Sequence, residues 1–130
     1  MKKIGTLLIV VFFITTGHAK TGVNAFFEGT DSFMKKYVTD GMVNYAGVKK
    51  SFAEIETLYR QVGAMDLGSS NATTKKAFYL NAYNVVVIYQ ITKYYPLKSA
   101  MDQSGFFDRV KHKVAGESLT LNELEIKKII

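Results

Sequence analysis

Apolar positions fall at helical spacing in several stretches of the chain, and turn-forming residues separate them. Phe33, Met34 and Tyr37 make one stripe. Asp31 is placed to cap a helix over 31–38, which Asp40-Gly41 ends. Residues 42–48 then read as extended or looped. Ser51-Phe-Ala-Glu54 has the form of a capping box, and it opens a helix with Phe52, Ile55, Leu58, Tyr59 and Val62 on its buried side and Gly63 as its stop. After the turn-rich Gly68-Ser-Ser-Asn71, Ser70 or Asn71 can cap a long element over 72–95, closed by Pro96. Ala77, Phe78, Leu80, Ala82, Val85, Val86, Ile88, Tyr89 and Ile91 project on nearly every side of it, the mark of an element covered on several faces. Val85-Val86-Val87-Ile88 carries β propensity, so a helix broken into a strand over 85–91 competes with one uninterrupted helix. The lack of a turn signal before Pro96 favours the single helix.

The pattern changes beyond Pro96. Residues 97–108 read as an irregular connection, 109–114 alternate as a short strand, and Ala115-Gly116-Glu117 turns the chain back into Ser118-Leu119. Thr120-Leu-Asn-Glu123 is a second capping box, opening a helix that carries Leu121, Leu124 and Ile129 inward. The fold class expected is α+β, predominantly helical, with a small β-hairpin near the C-terminus. The final Lys127-Lys128-Ile129-Ile130 holds no C-cap, and the stripe before it has no partner within the sequence. The expectation is therefore one domain over 20–130 that is incomplete at its C-terminus.

The first nineteen residues stand apart. Lys2-Lys3 precedes an uncharged apolar run over 4–16, and Gly17-His18-Ala19 offers the small residues of a cleavage site, so 1–19 reads as a secretory signal peptide. A membrane anchor is the competing reading, but thirteen residues make roughly 20 Å of helix against a hydrocarbon core of about 30 Å. Lys20, where a lipoprotein would need Cys, argues against a lipid anchor. The expected product is periplasmic or secreted and has no stable membrane anchor.

Composition narrows the chemistry. The chain has 130 residues, 48% of them hydrophobic, with no Cys and a formal charge of +6, which falls to +4 once Lys2 and Lys3 are removed. Lysines occur as scattered pairs (35–36, 49–50, 75–76, 127–128), which is not the one-sided patch that a nucleic acid requires. The absence of Cys removes thiol catalysis, zinc-thiolate clusters and iron–sulfur sites. No phosphate-binding or dinucleotide motif occurs, and neither a metal nor a cofactor is expected. After removal of His18 the remaining imidazole is His112, which lies between Lys111 and Lys113. Two cations beside it disfavour its protonation, and a solvated strand face is expected for it. Ser32-Phe-Met-Lys35 satisfies S-x-x-K, but the motifs that accompany it in hydrolases are missing.

Two groups of residues are the ligand-binding candidates. Asn81 and Asn84 lie three apart on one helix face, with Tyr83 and Tyr79 beside them, and could hold a substrate amide or carboxylate or tie the helix to a neighbouring loop. Gly105-Phe-Phe-Asp108-Arg109 sets aromatic bulk beside a carboxylate and a guanidinium, which suits either a pocket wall or a packed loop with an internal ion pair.

The same residues carry a resemblance. Ala77-Phe-Tyr-Leu-Asn-Ala-Tyr-Asn84 resembles the F-W-x-N-A-Y-N signature of the family called domain of unknown function 547, DUF547. Agreement continues through Tyr94-Tyr-Pro-Leu-Lys-Ser99, Gly105-Phe-Phe-Asp108 and Leu119-Thr-Leu-Asn-Glu-Leu-Glu125. Upstream, Val43-Asn-Tyr-Ala-Gly-Val-Lys49 is similar to the family's V-D-Y-A-G-L-K. Asn44, Tyr79 and Ile126 depart from the family pattern, standing where an acid, Trp and His are usual. The resemblance implies an exported bacterial protein, and it implies that family members continue past residue 130 into a segment bearing His and Cys. Three functional expectations follow. One is a binding or interaction module for an unknown protein or small-molecule ligand. Another is an exported hydrolase or transferase whose catalytic Cys/His segment lies beyond residue 130, and the third is an inactive truncated remnant.

Overall fold

Helix α1 occupies Gly22–Tyr37 in the computed structural model, which describes residues 22–130; the expected signal segment lies outside the described residues. The stripe that begins at Val23, Phe26, Phe27 and Thr30 continues into Phe33, Met34 and Tyr37, so the helix starts well before Asp31. Asp31 is an interior residue paired with Lys35 at 2.9 Å, not a cap. Asp40-Gly41 does end the element, as the turn of a hairpin. Both residues have positive φ, 52° and 75°, the geometry that an Asp-Gly pair favours between two strands. The strands are β1 (Val38–Thr39) and β2 (Met42–Val43), paired antiparallel.

Of the stretch 42–48, expected to be extended or looped, Met42–Val43 is extended as β2, but from Tyr45 the chain forms the short helix α2, Tyr45–Lys50. Asn44 caps it, its side chain accepting from the Gly47 amide at 3.0 Å. Helix α3 follows over Phe52–Ala64. Its expected capping box does not form: Ser51 makes no side-chain cap bond, and Glu54 instead accepts from Lys36 Nζ at 2.9 Å and from Tyr37 OH at 3.0 Å. A residue that ties two helices together is lost to local capping. The 72–95 element is one helix, α4, over Ala72–Lys93, capped by Asn71 accepting from the Thr74 amide at 2.8 Å.

The other helices pack around α4. Phe78 meets Phe26 of α1 with ring centroids 5.4 Å apart, and Tyr89 stacks on Tyr59 of α3 at 3.8 Å and 10°. Lys49 of α2 donates to the carbonyls of Thr92 and Lys93, at 3.2 Å each. The valine run is consumed by this packing: Val85, Val86 and Val87 are buried, and a helix surrounded on several sides has no polar face to which β propensity could shift it.

The C-terminal third follows the expectation more closely. A 3₁₀ turn spans Ala100–Asp102 within the irregular connection. Strands β3 (His112–Val114) and β4 (Glu117–Leu119) form the expected hairpin. Helix α5 (Leu121–Leu124) opens on the expected box: Glu123 N donates to Thr120 Oγ1 at 3.1 Å and Thr120 N to Glu123 Oε2 at 2.8 Å. The backbone then widens into a π-helical turn over Glu125–Ile129, where Lys128 lies 5.6 Å from the Tyr79 ring of α4. The fold class is α+β, predominantly helical, with two small antiparallel hairpins among the described residues, β1–β2 being additional to the one expected near the C-terminus.

Candidate functional site

The Asn81–Asn84 pair is buried on α4, at 1% and 0% exposure. Asn81 Nδ2 donates to the Ala77 carbonyl at 2.9 Å, one turn back in its own helix, so it ties α4 to itself and not to a neighbouring loop. Neither amide atom of Asn84 has a hydrogen-bond partner among the described residues. Tyr83 is half-buried, and burial together with nearby Glu125 raises its pKa. A sealed donor or acceptor costs about 1–3 kcal/mol. Asn84→Leu, which keeps the bulk and discards both polar atoms, should therefore raise the unfolding free energy by about 1–2 kcal/mol. Urea titration checks this, and a loss of stability would show that the amide is bonded in solution.

The second group has the opposite character. Residues 105–109 curl back on themselves, with the amides of Arg109 and Val110 both reaching the Gly105 carbonyl at 3.0 Å. Gly105 sits at φ +75°, and a Cβ there would fall 2.7 Å from Arg109 Cβ, so only glycine lets the arginine stem lie across the turn. Phe106 anchors the loop at 1% exposure, its ring 4.7 Å from that of Phe107. The Phe107 carbonyl accepts from the Asn122 amide at 2.9 Å, which fixes the loop to the start of α5. Asp108 and Arg109 are left exposed, and no ion pair joins them among the described residues. They border a groove of about 510 Å³ with Gln103, Ser104 and Asn122. Asn81, Tyr83 and Asn84 do not line this groove.

His112 corrects an expectation. It is 3% exposed, with Nδ1 2.8 Å from Tyr59 OH and the ring edge-on to Tyr59. Burial, assisted by Lys93, pushes its pKa down to about 4. The direction agrees with the sequence argument, but the cause is desolvation and a lysine from α4, not Lys111 and Lys113. The signal was present in the alternation itself, because outward lysines at 111 and 113 require His112 to point inward with Val114. The Ser32/Lys35 pair shows no sign of activation, since Ser32 is exposed and Lys35 is held by Asp31. Among the described residues, no cluster of three or more His, Cys, Asp or Glu side chains could hold a metal, and no helix is long and apolar enough to cross a membrane.

Residues 67–130 match the protein family described as "Protein of unknown function, DUF547". The DUF547 match takes in α4, the 105–109 loop, the β3–β4 hairpin and α5, and thus every candidate residue: Asn81, Tyr83, Asn84, Asp108 and Arg109. The similar segment at 43–49 lies ahead of it. No curated protein and no solved structure matches the chain.

Proposed function

We propose that the chain is an exported bacterial binding or interaction module, which takes its ligand in the groove beside residues 105–109. One observation carries this reading. Asp108 and Arg109 stand exposed, unpaired with each other, on a loop that Phe106, Gly105 and the Asn122 amide hold rigid. A carboxylate and a guanidinium presented side by side suit a ligand that carries an ammonium and a carboxylate, such as the ends of a short peptide. The groove volume lies within the range of about 300–1,000 Å³ common for ligand pockets. The charged start, apolar run and small residues of 1–19 support export.

Titration of the isotope-labelled protein with trialanine tests the groove. Saturable amide shifts are expected at residues 105–109 and Asn122, with affinity about tenfold weaker in the Asp108→Ala/Arg109→Ala double variant and the thermal transition retained. Shifts confined to other residues, or none, would refute the assignment. Cleavage of the peptide by the purified chain would replace binding with catalysis.

A further inference from the structure

A separate cavity of about 370 Å³ opens where the β1–β2 hairpin, α2 and the segment after α4 come together. Lys36, Tyr37, Thr39, Asn44, Tyr45 and Tyr95 line it, and it shares no lining residue with the 105–109 groove. Tyr45 is the unusual member. It is 5% exposed, and burial alone raises its pKa, with no hydrogen bond to its hydroxyl among the described residues. That oxygen is not among the sealed atoms of the core, and Tyr45 lines the cavity. A desolvated phenol without a partner is costly, and a cavity-facing one is placed to bond whatever enters.

The remaining walls define what fits. Tyr45 and Tyr95 lie nearly parallel, with centroids 6.3 Å apart and planes at 26°, and the half-buried Tyr95 adds its ring to the wall. Thr39 adds a hydroxyl. Asn44 spends its Oδ1 on the Gly47 amide at 3.0 Å and keeps its Nδ2 donors. The one charged wall residue is Lys36, and its ammonium is bound to Glu54 at 2.9 Å. Tyr37 gives its hydroxyl to the same carboxylate. The cavity thus presents hydroxyls, an amide and an aromatic face, with no uncompensated charge.

We propose that this cavity binds a neutral sugar ring. The C–H face of such a ring stacks on Tyr95, while its hydroxyls take up the Tyr45 and Thr39 oxygens and the Asn44 amide. The volume lies at the small end of ligand pockets, which limits the occupant to one or two rings.

The test is titration of the isotope-labelled full chain with N-acetylglucosamine and with maltose, using glucuronate as the charged counterpart. At least one neutral sugar should give saturable shifts at Asn44, Tyr45 and Tyr95 while Gly105 and Asn122 stay in place. Tyr45→Phe retains the ring and should weaken binding by about tenfold, the scale of one hydrogen bond to a desolvated group. Tyr95→Leu keeps apolar bulk at a half-buried position and should weaken it at least as much, with thermal unfolding monitored for both variants. The proposal is overturned if neither neutral sugar shifts these residues or if affinity is unchanged in both variants. Binding of glucuronate alone would also overturn it, since that would mean Lys36 answers to an anion.

Discussion

Phe78→Ala should cost about 3–5 kcal/mol of stability, the largest effect expected of a single substitution in this chain. Phe78 is fully buried and joins α4 to α1 through Phe26, with ring centroids 5.4 Å apart, while Tyr79 meets its edge at 5.3 Å. Truncation removes the ring's burial and leaves a cavity that two rigid helices cannot close. A domain of this size has about 5–15 kcal/mol in total, so the variant should unfold at a much lower urea concentration and populate the unfolded state on mild heating. Phe78→Leu should cost much less, because it restores most of the volume. The double variant with Phe26→Ala should lose less than the sum of the two single changes, since each aromatic loses its partner when the other is removed. A cost below about 1 kcal/mol for Phe78→Ala would mean that α1 does not pack on α4 in solution.

Acidification should destabilise the protein in a window set by His112. Its folded pKa is pushed down to about 4, below the ordinary 6.5, first by burial and then by Lys93. Above pH 6.5 the imidazole is neutral in both folded and unfolded chains, and its contribution is complete. As pH falls from 6.5 towards 4, the unfolded chain takes up a proton that the native state refuses. Stability therefore declines across that window, by about 3 kcal/mol in all, and levels off for this group below it. Tyr59 lies against Nδ1 and Lys93 is the nearby cation, and neither favours the imidazolium as a carboxylate would. His112→Gln keeps a polar group for Tyr59 and should flatten the pH dependence between 6.5 and 4 in urea titrations. Glu123 acts in a lower window. The Thr120 amide and then Lys111 hold its pKa down to about 2, so its capping contribution is complete above 4.5 and is lost as pH falls towards 2. A variant at His112 that still lost stability between pH 6.5 and 4 would assign the acid sensitivity to another group.

The candidate site was legible in the sequence to unequal degrees. Asp108 and Arg109 were recognisable because Gly105 and the two phenylalanines announce a tight, anchored loop within five residues. Their failure to pair with each other was not, since it depends on how the Arg109 stem crosses Gly105. The spacing of Asn81 and Asn84 is enough to set them on one helix, but whether their amides meet a ligand, a loop or their own backbone depends on what covers α4. The Tyr45–Tyr95 cavity left no sequence signal, because its walls are brought together from segments some fifty positions apart.

The division follows the range of the forces involved. Asn71 and Thr120-Glu123 cap the helices they begin, Asp40-Gly41 and Ala115-Gly116 turn the chain, and α4 runs unbroken until the residues before Pro96. Each of these rests on bonds or dihedral preferences spanning a few residues, and a linear pattern records them. Glu54 left its capping role for Lys36 and Tyr37, His112 turned inward onto Tyr59, and α1 gained two turns ahead of Asp31 through Val23, Phe26 and Phe27. Those outcomes required partners 17 to 53 positions away or a core against which to pack. Burial and desolvation belong to the assembled fold, and they override local propensity wherever the two compete.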